Sequence, residues 1–215
     1  MIKTHLESIT YDIDSFLAAA QLAPLDAATS ARFADYLALI LRWNARINLT
    51  SVRDPEGIVQ RHFLESIACA HLLPREIATL LDFGSGAGFP GIPIALCRPE
   101  IDVTLAESQG KKAAFLQEAV RTLGLNVQMH AGRAESLATQ FDCVTLRAVD
   151  RMDLAVQVAA RLVRIGGWLA PLTTRAAFSK IQAAVGVGFN WSDPAPLSGS
   201  DDRVLLLATK ASSPA

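Results

Sequence analysis

Apolar residues in the first third of the chain recur three and four positions apart, which is the spacing of one face of a helix. The clearest stretch runs from Phe33 through Tyr36 and Leu37 to Ile40 and Leu41. The spacing therefore predicts an N-terminal region built from helices.

Polar breaks divide this helical region. Leu22–Ala28 contains a proline and is typical of a turn between helices, and Asn48–Ser51 interrupts the pattern again. Asp54 then suits a helix N-cap, because a proline follows it in the first helical position. We expect this helix to run to about Leu73 and to stop at Pro74.

From residue 79 onward, short apolar runs alternate with helical stretches. Alternation of this kind predicts a parallel sheet with right-handed crossovers. The predicted strands are Thr79–Phe83, Val103–Ala106, Val127–His130, Cys143–Leu146, Trp168–Leu172 and Val204–Thr209. The predicted helices between them are Ile92–Cys97, Lys111–Leu123, Leu154–Val163 and Phe178–Gly186.

The pattern as a whole indicates an α/β fold with a Rossmann-like, doubly wound and mostly parallel sheet, preceded by N-terminal helices. The last strand follows a polar loop, Ser198–Arg203, and a hairpin return there would make that strand antiparallel. We expect two regions: a helical extension over residues 1–76, packed on the core, and a ligand-binding core over residues 77–215.

The strongest chemical signal is the segment Leu80–Gly91, in which an apolar strand runs straight into a glycine-rich turn. Gly84, Gly86 and Gly88 come directly after the strand. Glycine permits positive φ and lets a ligand approach the main chain closely. Because open α/β sheets bind ligands at the carboxyl ends of their strands, the turn predicts a nucleotide-type site.

Two kinds of ligand compete for this turn. Gly86, Gly88 and Gly91 formally satisfy the GxGxxG pattern of a dinucleotide site. Pro90 and Pro93, however, crowd the start of the helix and remove amides that a pyrophosphate would use. The GxGxG spacing directly after the strand resembles class I methyltransferases, so we favour S-adenosylmethionine over a nicotinamide.

Later strands deliver polar side chains to the same edge of the predicted sheet. Glu107, with Ser108 beside it, ends the second strand, where a carboxylate can accept from ribose hydroxyls. Ala134 and Glu135 follow the third strand, at a position suited to adenine. Arg147 ends the fourth strand and can fork onto a carboxylate or a phosphate, the alternative being a surface ion pair.

Composition limits the function without naming it. The 215 residues carry a formal net charge of -1, which neither indicates nor excludes a nucleic-acid partner, since local patches matter more than the sum. The three cysteines form no CxxC pair, so we expect no metal and a reducing, cytoplasmic setting. No apolar window approaches the ~20 residues of a membrane span, and nothing demands more than a monomer.

In combination, these pieces resemble the bacterial small-subunit ribosomal RNA guanine-N7 methyltransferases, the glucose-inhibited division protein B family. The similarity covers roughly residues 35–210. The glycine turn with its Phe-Pro-Gly-Ile-Pro extension and the upstream Asn-Leu-Thr stretch are specific together. The residues that carry the resemblance are Trp43-Asn44, Asn48–Ser51, Arg61–Ser66, Asp82–Pro93, Glu107–Lys112, Gly132–Glu135 and Arg147-Ala148.

The resemblance implies an enzyme that uses S-adenosylmethionine to methylate N7 of a guanine in the 530 loop of 16S ribosomal RNA, within the 30S subunit. The family's convention numbers this guanine 527. Two departures stand out: the family commonly has a lysine shortly after the fifth strand, where this chain has Pro171–Thr174, and its second-strand acid is often Asp rather than Glu. The implied cofactor contacts are Gly84, Phe89, Ala134, Glu135 and Arg147.

RNA contact would come from positive patches near the predicted pocket. Phosphate contacts from such groups give salt-dependent affinity with little sequence information. The alternative for each is ordinary charge on a helix surface. The candidates are Arg46, Arg61, His62, Lys111 and Lys112.

Motifs for other acceptor atoms are missing from the sequence. No Pro-Cys is present for attack on cytosine C5, and the fourth strand ends in Thr145–Ala148 instead of the Asn/Asp-Pro-Pro-aromatic stretch that holds exocyclic amines. Guanine N7 has an in-plane lone pair and no proton to lose, so its site requires no general base. Arg147 is then expected to position the reactants.

Two alternatives stay open. One is a small-molecule methyltransferase with the helical region as a lid, and its mark would be acid/base residues near Arg147. The other is a non-enzymatic ribosome-assembly binder that keeps S-adenosylmethionine as a structural ligand.

Overall fold

The N-terminal region is helical, as its apolar spacing predicts, in a computed structural model that describes residues 13–197 and 202–212. Residues 1–12 of the predicted extension and 198–201 of the predicted polar loop lie outside the described residues. The helical elements before the sheet are a segment at residues 13–19, α1 (Ala27–Asn44), α2 (Pro55–Ile58), a π-helical turn (Val59–Phe63) and α3 (Leu64–Leu72).

Side-chain caps begin these helices. The Asp26 carboxylate accepts from the amides of Ala28 and Thr29, both at 2.9 Å, and so starts α1. Asp54 accepts from the Gly57 amide at 2.6 Å, which confirms the predicted N-cap of α2. The helix α3 ends at Leu72, and Leu73 is extended ahead of Pro74, as predicted.

The remaining elements alternate as predicted. Their helices are α4 (Gly91–Cys97), α5 (Gly110–Thr122), α6 (Met152–Leu162) and α7 (Phe178–Val185). Their strands are β1 (Thr79–Phe83), β2 (Asp102–Ala106), β3 (Gln128–His130), β4 (Phe141–Arg147), β5 (Val163–Thr174), β6 (Phe189–Trp191), β7 (Ala195–Pro196), β8 (Arg203–Leu205) and β9 (Ala208–Lys210).

The sheet is doubly wound. Its order is β3-β2-β1-β4-β5, all parallel, and β8 and β9 then add to β5 in the antiparallel sense. The predicted fold class and the antiparallel end of the sheet are therefore confirmed. Strand β1 lies where the strand order reverses, which is the ligand-binding position of open α/β sheets.

The prediction of one last strand over Val204–Thr209 is wrong. Two strands, β8 and β9, occupy the segment, and they pair with β5 in a single register that is interrupted between them. The Leu206 amide donates to the Pro171 carbonyl at 3.0 Å, but proline has no N–H to return the bond. The short strands β6 and β7, which the apolar pattern did not predict, pair with β9 and β8.

The helical region and the sheet share one hydrophobic core. Phe33 and Tyr36 of α1 belong to the same buried cluster as Leu80 of β1 and Ile92 of α4. Leu81, the next residue of β1, points to the opposite face and packs in a second cluster with α6 and α7. The predicted boundary at residue 76 stays a prediction.

Among the described helices, none has both the length and the apolar character that crossing a bilayer requires.

Asp142 of β4 joins the start of β1 to β5, and its ionisation should stabilise the fold. Its carboxylate accepts from the amides of Ala78 and Thr79, both at 2.8 Å, and forms an ion pair with Arg164. Burial alone would raise the pKa of Asp142, but these hydrogen bonds and the guanidinium lower it to about 2. Asp142→Asn should lower the free energy of unfolding at pH 7 by about 1–2 kcal/mol.

The lowered pKa of Asp142 also determines how the difference in unfolding free energy between the wild type and Asp142→Asn depends on pH. A lowered carboxyl pKa contributes stability above its unfolded value near 3.8, and the contribution is lost as the pH falls towards 2. In urea unfolding, the free energies of unfolding of the wild type and Asp142→Asn should therefore converge as the pH falls from 4 to 2. Asp153→Asn is the control, since that carboxylate lies in an exposed ion pair at 3.9 Å. A gap that stays constant with pH would contradict the assignment.

Candidate functional site

A cleft of about 730 Å³ lies at the carboxyl edge of the sheet. Segments that follow the parallel strands β1, β2, β3 and β4 line it, together with the stretch after α1 and the π-helical turn. Among the predicted site residues, those that line the cleft are Gly84, Gly86, Phe89, Glu107, Ser108, Ala134, Glu135, Arg147, Arg61, His62 and Lys112.

The first two glycines of the turn present their main chain to the cleft. Gly84 and Gly86 have φ values of +70° and +58°, which favour glycine. A Cβ built on Gly86 would meet only the Gly84 carbonyl oxygen, at 3.9 Å. A ligand can therefore approach the backbone at Gly86 without meeting a side chain, whereas a Cβ on Gly84 would lie 3.2 Å from the Val149 side chain.

Gly88 does not line the cleft, although the GxGxG spacing grouped it with the other two. A Cβ on Gly88 would lie 2.6 Å from the Tyr36 hydroxyl, and one on Gly91 would lie 2.3 Å from Leu105. The Tyr36 hydroxyl donates to the Ala87 carbonyl, so α1 packs directly beneath the turn. These glycines are required because the core leaves no room for a side chain.

Asp82 holds the turn from below and is a residue to which the sequence reasoning assigned no role. Its wholly buried carboxylate accepts from the Gly91 amide and from the Thr145 hydroxyl, both at 3.1 Å. Burial raises the pKa of Asp82 to about 6, against the lowering effect of its hydrogen bonds. The sequence feature that could have identified Asp82 is its position as the single acid within the apolar strand Thr79–Phe83.

Glu107 braces the turn from the side. One carboxylate oxygen accepts from the Gly86 amide at 2.9 Å and the other from the Gln109 amide at 2.7 Å. Only 6% of the residue is exposed. Since an ionised carboxylate has about four acceptor sites, it can still accept from a ligand's hydroxyls. The predicted ribose contact of Glu107 stays a prediction with a compatible geometry.

The Arg147 guanidinium forks onto a carboxylate that belongs to the protein. Its Nε and Nη2 atoms donate to Oε2 of Glu65 at 3.1 and 2.9 Å. Arg203 approaches the other oxygen of that carboxylate at 3.3 Å. Glu65 is 3% exposed, so this is a buried charge cluster joining α3, β4 and β8. Sequence reasoning missed Glu65 and Arg203 because no local pattern links them to β4.

His62 lies between this cluster and the glycine turn. Its Nδ1 is 2.9 Å from Nη2 of Arg147, its Nε2 is 2.8 Å from the Thr50 hydroxyl, and its ring is 4.8 Å from the Phe89 ring. Burial, with the nearby arginine charges, lowers the pKa of His62 to about 3. The imidazole is therefore neutral at physiological pH.

Positive side chains rim the cleft. Within the part of the chain that the structure describes, no acid forms an ion pair with Arg61, Lys112, Arg133 or Arg151. Arg46 and Lys111 are exposed but do not line the cleft. Their predicted RNA contacts stay predictions.

Breaking the buried cluster should destabilise the protein. Arg147→Ala leaves the Glu65 carboxylate with one arginine, so the free energy of unfolding should fall by about 3–5 kcal/mol. Adding Glu65→Gln removes the buried charge that has lost one of its two arginines and should recover part of that loss. Urea unfolding of both single variants and the double variant measures the coupling. If the two single variants lost unfolding free energies that simply added up in the double variant, the coupling between Arg147 and Glu65 would be refuted.

Comparisons with known proteins agree with this architecture. The family model described as rRNA small subunit methyltransferase G (GidB) matches residues 29–185. The chain is 46% identical over 152 residues to the ribosomal RNA small subunit methyltransferase G of Xanthomonas euvesicatoria, covering 69% of this chain and 71% of that protein. It is 40% identical over 203 residues to the protein of that name from Roseiflexus castenholzii, covering 86% and 85%.

Solved structures show the same fold at low identity. A methyltransferase from Pyrococcus furiosus superposes with a TM-score of 0.62 at 15% identity, over 85% of this chain and 98% of that one. A 16S rRNA methyltransferase from T. thermophilus, in complex with AdoMet and guanosine, gives 0.55 at 15% identity, over 72% and 41%. The fold is that of the class I, Rossmann-like methyltransferases, and the chain is a methyltransferase that belongs to the rRNA small subunit methyltransferase G family.

Proposed function

We propose that this protein transfers a methyl group from S-adenosylmethionine to N7 of a guanine in the 530 loop of 16S ribosomal RNA, nucleotide 527 by the family's convention. The observation that carries the proposal is the open glycine turn at the switch point of the sheet, in a chain of this family. The substrate would be met in the cytoplasm. We propose that the protein acts as a monomer.

The residues of the cleft fit the proposed cofactor. Gly86 leaves the main chain free for a close approach, and Glu107 has acceptor sites left for ribose hydroxyls. Ala134 and Glu135 also line the cleft, which is compatible with the adenine contact that the sequence predicts for them. When bound, the cofactor supplies a reactive methyl group on a sulfonium, and the protein's part is to orient the acceptor.

The state of the buried ionisable groups favours N7 as the acceptor. His62 is neutral, and both of its ring nitrogens contact hydrogen-bonding partners. Glu107 holds two backbone amides, and Glu65 holds two arginines. His62 and Glu65 are therefore committed to partners within the protein, and Glu107 keeps acceptor sites for the predicted ribose contact. Because N7 loses no proton on methylation, this cleft is adequate for it.

The charge of the rim favours an RNA substrate over a small molecule. Arg61, Lys112, Arg133 and Arg151 surround the mouth, and a polyanion can contact several of them at once. A shaped RNA loop with an exposed base is the kind of target that such a surface recognises. The relatives named ribosomal RNA small subunit methyltransferase G support this reading.

Methyl transfer to small subunits tests the proposal. Purified protein with radiolabelled S-adenosylmethionine should label 30S subunits that lack the mark, and cleavage specific for N7-methylguanosine should map the label to the 530 loop. Subunits that already carry the mark are the control. Label at another atom would contradict the N7 assignment. Tight cofactor binding without any transfer would favour the ribosome-assembly binder.

Gly86→Asp should abolish binding of S-adenosylmethionine, because its carboxylate would enter the cleft beside Glu107. Gly124→Asp is the matched control, since Gly124 has φ +60° against +58° for Gly86 and lies in open space outside the cleft. Both variants should lose about 1–2 kcal/mol of stability for a Cβ at positive φ. Calorimetry should detect binding to the control and none to Gly86→Asp. Equal affinities would place the cofactor elsewhere.

A further inference from the structure

We propose that the Thr50 hydroxyl selects guanine by donating a hydrogen bond to O6 of the target base. The inference rests on the proposed function and deepens it, because it assigns a specificity-determining residue to the acceptor side of the cleft.

Thr50 is held firmly at the cleft wall. It lies in the irregular stretch after α1, is half-buried and lines the cleft. The buried Asn44 side chain fixes this stretch, because its oxygen accepts from the amides of Leu49 and Thr50 at 3.0 and 3.1 Å and its nitrogen donates to the Val52 carbonyl at 3.1 Å. The hydroxyl therefore has a defined position without any ligand.

The neighbouring charge cluster determines the tautomer of His62. Nη2 of Arg147 has two protons, which it shares among three contacts at 2.9 Å: Oε2 of Glu65, the Arg61 carbonyl and Nδ1 of His62. Because a guanidinium nitrogen can only donate, Nδ1 of His62 is the acceptor in the last of these contacts. The ring is neutral, since its pKa is lowered to about 3. The ring proton therefore lies on Nε2, which donates to Oγ1 of Thr50 at 2.8 Å.

The Thr50 oxygen is then fully used as an acceptor. It takes the Nε2 proton of His62 and, at 3.2 Å, the Val52 amide proton, which occupy its two lone pairs. The hydroxyl proton is left over, and among the described residues no acceptor takes it. A threonine hydroxyl ordinarily donates or accepts, but here it can only donate.

A hydroxyl that only donates distinguishes guanine from adenine. Beside N7, guanine presents the O6 acceptor, whereas adenine presents an amino group that would meet the donor head-on. Bonding to O6 also leaves the N7 lone pair free for the methyl group. Contacts through His62 connect Thr50 to Arg147 at the end of β4. Glu107 follows β2, which lies on the opposite side of β1 from β4. The acceptor base and the predicted ribose contact thus occupy opposite ends of the cleft.

A cycle of protein and substrate variants tests the bond. We would reconstitute 30S subunits with either guanosine or 2-aminopurine riboside at the target, since 2-aminopurine keeps N7 but has a hydrogen at C6 in place of O6. Thr50→Val removes the hydroxyl with little change of shape, and Thr50→Ser keeps it. Thr139→Val, an exposed position outside the cleft, controls for the substitution itself.

With guanosine, Thr50→Val should lower kcat/KM about tenfold, the effect of one hydrogen bond, and Thr50→Ser should restore most of the loss. With 2-aminopurine, the wild-type protein and Thr50→Val should agree within about twofold. Thr139→Val should match the wild type on both substrates. Thr50→Val also removes the acceptor of the His62 Nε2 proton and of the Val52 amide, so its melting temperature should fall, whereas its cofactor affinity should stay at the wild-type value.

Three results would overturn the assignment. An equal loss on both substrates would show that Thr50 acts only on the structure, and full activity of Thr50→Val on guanosine would remove it from recognition. Failure of the wild-type protein to methylate guanosine subunits would instead refute the proposed function, and the inference with it. Wild-type activity without any dependence on Thr50 refutes the inference alone.

Discussion

One buried carboxylate connects the walls of the cleft. Glu65 is almost fully removed from solvent, and an unpaired charge there would cost several kcal/mol. Arg147 from β4 and Arg203 from β8 compensate it, so α3 and the two strands must come together for the fold to tolerate the acid. The same arginine then orients His62, and through it the Thr50 hydroxyl. The acceptor side of the cleft therefore depends on a charge cluster whose two arginines line it.

The glycine turn depends on a second set of acids. Asp82 ties the turn to α4 and β4 from beneath, and Glu107 holds the Gly86 amide from the side. Tyr36 adds a hydrogen bond from α1 to the turn. These contacts hold the backbone open before any ligand arrives, so binding does not have to order the loop.

The chemistry of the proposed reaction suits such a rigid and unreactive cleft. Transfer to N7 requires no proton removal, and alignment of the two reactants can supply ~7–11 kcal/mol of the barrier. Groups committed to structural hydrogen bonds serve this purpose better than free acids and bases. The histidine in the wall, with its pKa lowered to about 3, is a hydrogen-bonding element of constant charge across physiological pH.

The sequence by itself determined the strand and helix alternation, the Asp54 cap and the edge of the sheet where the site lies, because periodicity and glycine turns act over a few residues. It also grouped Gly88 with Gly84 and Gly86. Only the tertiary structure separated these glycines, because the approach of Tyr36 is a contact between distant segments. The interruption opposite Pro171 and the partnership of Glu65 with two arginines were likewise decided by packing, since each joins residues that no local spacing relates.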